Sequence, residues 1–268
     1  SFFNDTTGDF DNSARNDGVF NLTNPDNPFK DYYMVYVPYC TGDVHMGNNV
    51  KTYHSEDGTE LNIHYKGFAN SSTAVQWAYG HFESPEQVFV AGCSAGSIGS
   101  IMFAPYVIQH YPNSQVVQLG DSEAFVFDHP VDLQSTYAAH DNFASWIPGL
   151  GEIKPAEFTM SRFYAAIAGF YPEYTFSQYN TAHDYIQQSF YFANVLPVST
   201  PVPWETALQK SLAEIRNAAP NFRSFTSGGT EHCITPTECF YTELVGGVRF
   251  LDWVSDMASG RVPADIQP

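Results

Sequence analysis

Short, dense apolar runs recur along the chain and are separated by longer stretches with helical spacing. The runs Tyr32 to Val37, Gln87 to Gly92, Gln115 to Leu119, Tyr174 to Tyr179 and Asn221 to Thr226 are rich in Val, Phe, Tyr and Leu. They read as strands. Helical spacing is found at about Gly67 to Phe82, where Phe68, Val75, Trp77 and Tyr79 supply an apolar face, and again from about Ser97 to His110. Further helices are expected over His183 to Phe192, from Pro201-Val202-Pro203-Trp204-Glu205 through Ala218, and over Val245 to Met257. Strands alternating with helices predict an α/β fold with a mostly parallel sheet covered by helices on both faces. Residues 1–31 are rich in Asn, Asp, Gly, Thr and Pro and read as extended surface loop. Between 122 and 172 the pattern breaks into short helices interrupted by Pro and Gly, which predicts an irregular cap. A chain of 268 residues builds one sizeable core, so a single domain over 1–268 is expected.

One of these runs carries chemistry. Gln87 to Gly92 feeds directly into Gly92-Cys93-Ser94-Ala95-Gly96 and then a helix, which is the G-x-S-x-G pattern of a nucleophile elbow. Gly92 is expected to let the backbone bend sharply against the helix, and Gly96 to let that helix pack close behind. A serine hydroxyl at neutral pH needs an imidazole to take its proton and a carboxylate to hold the imidazole's tautomer. In α/β-hydrolases these follow in the order serine, acid, histidine, each from a loop at a strand's carboxyl end. His232 lies in the glycine-rich loop after the last predicted strand. The acid has two candidates: Asp121 after the next strand, and Asp184 after the strand at 174–179, with spacing favouring Asp184. Asp121 has the alternative of a structural role near the site.

Charge removes some partners. With 29 acidic against 11 basic residues the formal net charge is −18, so nucleic acid and anionic membranes are not expected partners. No apolar run approaches the roughly 20 residues of a membrane helix. Secreted, extracellular or periplasmic residence is expected. Four cysteines at 40, 93, 233 and 239 lack zinc-site spacing and predict disulfides, Cys233 to Cys239 across a short loop and Cys40 to Cys93 between strand ends. Asp43-Val44-His45 offers a carboxylate and an imidazole, yet no third ligand has matching spacing, so no metal or cofactor is expected.

The chain resembles the pectin acetylesterase and Notum family of carboxylesterases. The resemblance rests on Asn27-Pro28-Phe29-Lys30-Asp31, Val37-Pro38-Tyr39-Cys40-Thr41-Gly42-Asp43-Val44-His45-Met46-Gly47, the elbow, Leu119-Gly120-Asp121-Ser122 and Gly228-Gly229-Thr230-Glu231-His232. It implies a catalytic Ser94, Asp184 and His232; Asp43, Cys40 and Asp121 are candidates for lining the site, with loop structure the alternative for Asp43. It departs at Ser97, where the family has a second glycine, and in the family's Gly-Gly-Gly oxyanion segment, which has no counterpart in these residues. Ala95 N–H is then the visible oxyanion donor. The loop around Gly8 and Gly18, or a segment outside these residues, is the expected source of another, and without one the rate falls about 10²- to 10³-fold. The activity implied is hydrolysis of acetyl or other short acyl esters on a polysaccharide. The alternatives are a silent hydrolase-like binding protein and a lipase or polyester hydrolase for longer acyl chains.

Overall fold

The computed structural model describes residues 17–122, 124–127, 129–194 and 202–268. An antiparallel hairpin, β1 (Asn49–His54) and β2 (Glu60–Tyr65), leads into helix α1 (Gly67–His81). Then come β3 (Gln87–Cys93), α2 (Ala95–His110) and β4 (Gln115–Asp121). Short helices α3 (Gln134–Tyr137) and α4 (Pro148–Gly151) precede α5 (Met160–Phe170), β5 (Thr175–Thr181) and α6 (Tyr185–Ala193). The chain continues through α7 (Trp204–Ala218), β6 (Phe222–Ser227), α8 (Cys239–Thr242), a small ribbon of β7 (Leu244–Val245) and β8 (Val248–Arg249), and α9 (Phe250–Ala258).

Strands β3, β4, β5 and β6 form one parallel sheet in that order. Cys93 pairs with Asp121, Asp121 with Tyr179 and Tyr179 with Phe225, so the four carboxyl ends lie nearly level. The arrangement is α/β-hydrolase-like. Successive side chains of a strand face opposite ways, and two separate cores follow from that. Val116, Phe176 and Phe222 join α2, α5 and α7 on one face. Val117, Leu119, Tyr179 and Phe225 join α9, with Phe250 and Trp253, on the other.

Two local outcomes differ from the sequence pattern. Tyr32 to Val37 forms no strand, and Tyr33, Met34, Val35 and Tyr36 are exposed. An apolar β-branched run becomes a strand only where a neighbour accepts its ladder, and among the described residues β3 has no partner on its outer edge. The hairpin β1–β2 was instead signalled by Asp57-Gly58 at its turn, where Gly58 has φ +83°. Within the stretch from 122 to 172, Phe143, Ile147, Leu150, Ile153 and Phe158 are buried in the same core as α2, and the regular helix α5 occupies its later part.

Candidate active site

The turn from β3 to α2 holds Ser94 at φ 54°, ψ −120°. A non-glycine residue adopts such a backbone only where its surroundings enforce it. Ser94 N–H donates to the Asp121 carbonyl at 2.8 Å, which ties the turn to the end of β4. A Cβ at Gly92 would run into the Gly96 backbone, so the first glycine is required by close approach. At Gly96 a Cβ would meet nothing within 4 Å. The expectation that the second glycine serves helix packing is therefore corrected: its lack of a side chain leaves space open beside Ser94. Ala95 opens α2, so its N–H belongs to the first-turn amides that have no intrahelical acceptor.

Asp184 sits where β5 turns into α6 and is fully buried. Its Oδ1 caps the helix, accepting from the amides of Ile186 and Gln187 at 3.0 Å each. Oδ2 is thereby left to face inward, where it accepts from Gln187 Nε2 at 3.0 Å and from His232 Nδ1 at 2.8 Å. A carboxylate only accepts, so the imidazole carries its proton on Nδ1 and keeps a lone pair on Nε2. Gln187 is fixed in turn by Asn180 Oδ1 and by the Ala124 amide. The His232 side chain remains 16% exposed while Asp184 is at 0%.

His232 follows β6, and β6 and β3 are the outermost strands of the sheet. Three inter-strand spacings of about 4.8 Å separate them, roughly 14 Å in all. The loop after β6 crosses that span over the ends of β5 and β4. His183 N–H donates to Gly229 O at 3.0 Å and Thr181 Oγ1 to Glu231 O at 2.7 Å. Buried Asp121 then receives the amides of Ile234 at 3.0 Å and Thr235 at 2.8 Å, and Thr235 Oγ1 at 2.6 Å, all on Oδ2. Its Oδ1 holds Ser122 Oγ, which accepts the Cys233 amide at 2.9 Å. Asp121 is thus the anchor of the histidine loop and not the partner of His232. Burial raises its pKa, against these hydrogen bonds.

The crossing ends in a disulfide between Cys93 and Cys233, with Cα atoms 5.5 Å apart. Both expected pairings are corrected. Cys40 is exposed and Cys239 is half-buried, and both are free. Cys239 begins α8, six residues on, after the chain has already turned away at Ile234 to Thr237, so it cannot face Cys233. Bridging positions 140 residues apart removes about 5 kcal/mol of chain entropy from the unfolded state. The signal for this pairing was present: one cysteine precedes the candidate nucleophile and the other follows the candidate base. Gln187 carried no such signal.

The other candidates come from the segment that precedes β1. Asp43 is buried and accepts from Thr41 Oγ1 and from the Gly67 amide at the start of α1, each at 2.7 Å. His45 is buried beside it, with Nδ1 at 2.9 Å from Ser71 Oγ and its ring against Tyr39. Both contact the first turns of α1, and the His45 ring also lies against Gly99 of α2. Cys40 meets Asn70 at the surface. Gly18 packs against Thr235 to Thr237, supporting the histidine loop from outside, and Gly8 lies outside the described residues.

A family model described as Pectinacetylesterase matches residues 6–234, a span that includes Ser94, Asp184 and His232. No curated protein matches the chain.

Burial lowers the pKa of His45 to about 4, so the fold holds this imidazole neutral. In the unfolded chain it protonates near 6.5. Its contribution is complete above pH 6.5 and is lost as pH falls from there toward 4, about 3 kcal/mol in all. Urea unfolding of the protein and of His45→Asn at pH 7, 5.5 and 4 checks this: the difference between them should shrink by about that amount. Parallel pH slopes would contradict it.

Proposed function

The chain belongs to the pectinacetylesterase family, and on that premise we propose that it is a serine esterase in which Ser94, His232 and Asp184 act together. His232 Nε2 takes the hydroxyl proton as Ser94 Oγ attacks the ester carbonyl carbon. The resulting oxyanion lies toward Ala95 N–H at the start of α2. The tetrahedral intermediate collapses, the alcohol leaves with the proton from His232, and the acyl group stays on Ser94. Water, deprotonated by the same imidazole, then releases the acid and restores the hydroxyl. Asp184 stabilises the imidazolium and fixes which ring nitrogen is free. The observation that supports this most directly is the 2.8 Å bond from His232 Nδ1 to the buried Asp184 carboxylate, with a serine in elbow geometry joined to the same loop through the Cys93–Cys233 bridge. A disulfide at the site also favours residence in an oxidising compartment, in line with export.

The substrate we propose is an acetylated carbohydrate whose carrier is uncharged. The formal charge is −18, and none of the stretches 93–97, 121–126, 182–185 and 228–236 contains a Lys or Arg. Glu231, exposed, adjoins His232. A polyanionic chain approaching this edge of the sheet is repelled.

Ser94→Ala should abolish hydrolysis of p-nitrophenyl acetate while melting like the parent protein; equal rates for the two proteins would sink the proposal. Varying salt tests the carrier. From about 10 to 150 mM the screening length falls from roughly 30 to 8 Å. Deacetylation of an acetylated polygalacturonate should therefore accelerate severalfold, and that of a neutral acetylated xylan should stay within twofold. A rate on the polyanion that drops with salt would overturn the carrier assignment.

A further inference from the structure

The ties that hold the histidine loop differ in where they lead. Gly229 and Glu231 are bound from the end of β5, and Cys233, Ile234 and Thr235 from Asp121 and Ser122 at the end of β4. Asp184, which orients the imidazole, also belongs to the end of β5. Among the described ties, the Cys93–Cys233 bond is the direct link from this loop to β3. It joins the residue before Ser94 to the residue after His232. Cys233 itself has φ 62°, and Ser94, the neighbour of Cys93, has φ 54°. Cys233 is 6% exposed, while Cys93 is half-buried.

We propose that this disulfide is a positioning element of the site, fixing His232 against Ser94, and not merely a staple of the fold. The inference rests on the proposed serine esterase mechanism. Hydrogen bonds to β4 and β5 set the height and orientation of the imidazole; the covalent link sets its distance from the nucleophile. A displacement of about 1 Å at such a pair can cost 10²-fold in rate. Two residues that sequence alone leaves as ordinary cysteines thereby acquire a defined role, and the site acquires a dependence on oxidation.

The test compares the parent protein with Cys93→Ala/Cys233→Ala, and with the parent protein reduced by a water-soluble phosphine. The phosphine supplies two electrons, becomes the phosphine oxide and leaves two thiols, which are counted by alkylation and mass. All three are read well below their melting temperatures, with folding followed by near-ultraviolet circular dichroism. On p-nitrophenyl acetate the expected outcome is a kcat lowered about ten- to hundredfold, with KM within twofold. A purely stabilising bond would lower the melting temperature and leave kcat unchanged, and that result would overturn the proposal. If the double variant does not fold, the reduced parent protein decides by the same criterion. A second readout needs no turnover. In histidine-labelled protein the His232 ring resonance should shift or broaden on loss of the bond, while those of the other histidines stay in place. An unchanged His232 resonance overturns the inference. A parent protein that neither hydrolyses the ester nor reacts with a fluorophosphonate defeats the esterase reading alone, because the resonance still reports the positioning.

Discussion

The constraint on which the rest depends is a distance across the sheet. In a four-stranded parallel sheet ordered β3-β4-β5-β6, the turn bearing Ser94 and the loop bearing His232 leave from opposite edges, roughly 14 Å apart. For the proposed base to serve the proposed nucleophile, the five residues from Gly228 to His232 after β6 must run back over two strand ends and stop at one place. Such a path offers few regular hydrogen bonds of its own, so its amides have to be met by side chains rising from the strands it passes. Asp121 does most of this. One fully buried carboxylate receives two amides and a hydroxyl on one oxygen and a serine on the other, and its own carbonyl receives the amide of Ser94. The elbow and the histidine loop are therefore registered on the same residue.

Asp184 solves the complementary problem of orientation. A carboxylate buried beside a histidine would rotate freely on its stem, but capping α6 with Oδ1 leaves Oδ2 a single direction. The helix thus provides the rotational constraint, and Gln187 from its first turn closes the remaining side. The disulfide supplies the last coordinate. Behind all three, the two cores on either face of the sheet keep the strand ends level, with α2, α5 and α7 on one side and α9 on the other.

Much of this was legible in the sequence because it follows from spacing. Strand, elbow and helix at 87–110 follow one another as a pattern, and the order of Ser94, Asp184 and His232 matches successive strand ends. The family match over residues 6–234 accords with motifs quoted from positions 27 to 232. What was not legible depends on the return path of one loop. The pairing of Cys93 with Cys233 spans 140 residues and exists because β6 lies three strands from β3. Local reasoning paired Cys233 with the nearer Cys239. The run Tyr32 to Val37 failed for a related reason: strand propensity speaks to side chains, whereas a strand also needs an adjacent ladder. Asp121 was visible as a residue near the site, and its task became clear only from Ile234 and Thr235, just after His232, which converge on it.

The central claim is that the buried carboxylate at 184 holds His232 in the tautomer that lets Nε2 accept the serine proton. Asp184→Asn isolates it, because asparagine caps a helix as well as aspartate does and α6 is retained, while the group facing Nδ1 changes from an acceptor to an amide. The direct measurement is kcat for p-nitrophenyl acetate hydrolysis by this variant, alongside its melting temperature. The account predicts a loss of about 10³- to 10⁴-fold with a melting temperature close to that of the parent protein. A variant that melts normally and keeps kcat within tenfold would contradict it.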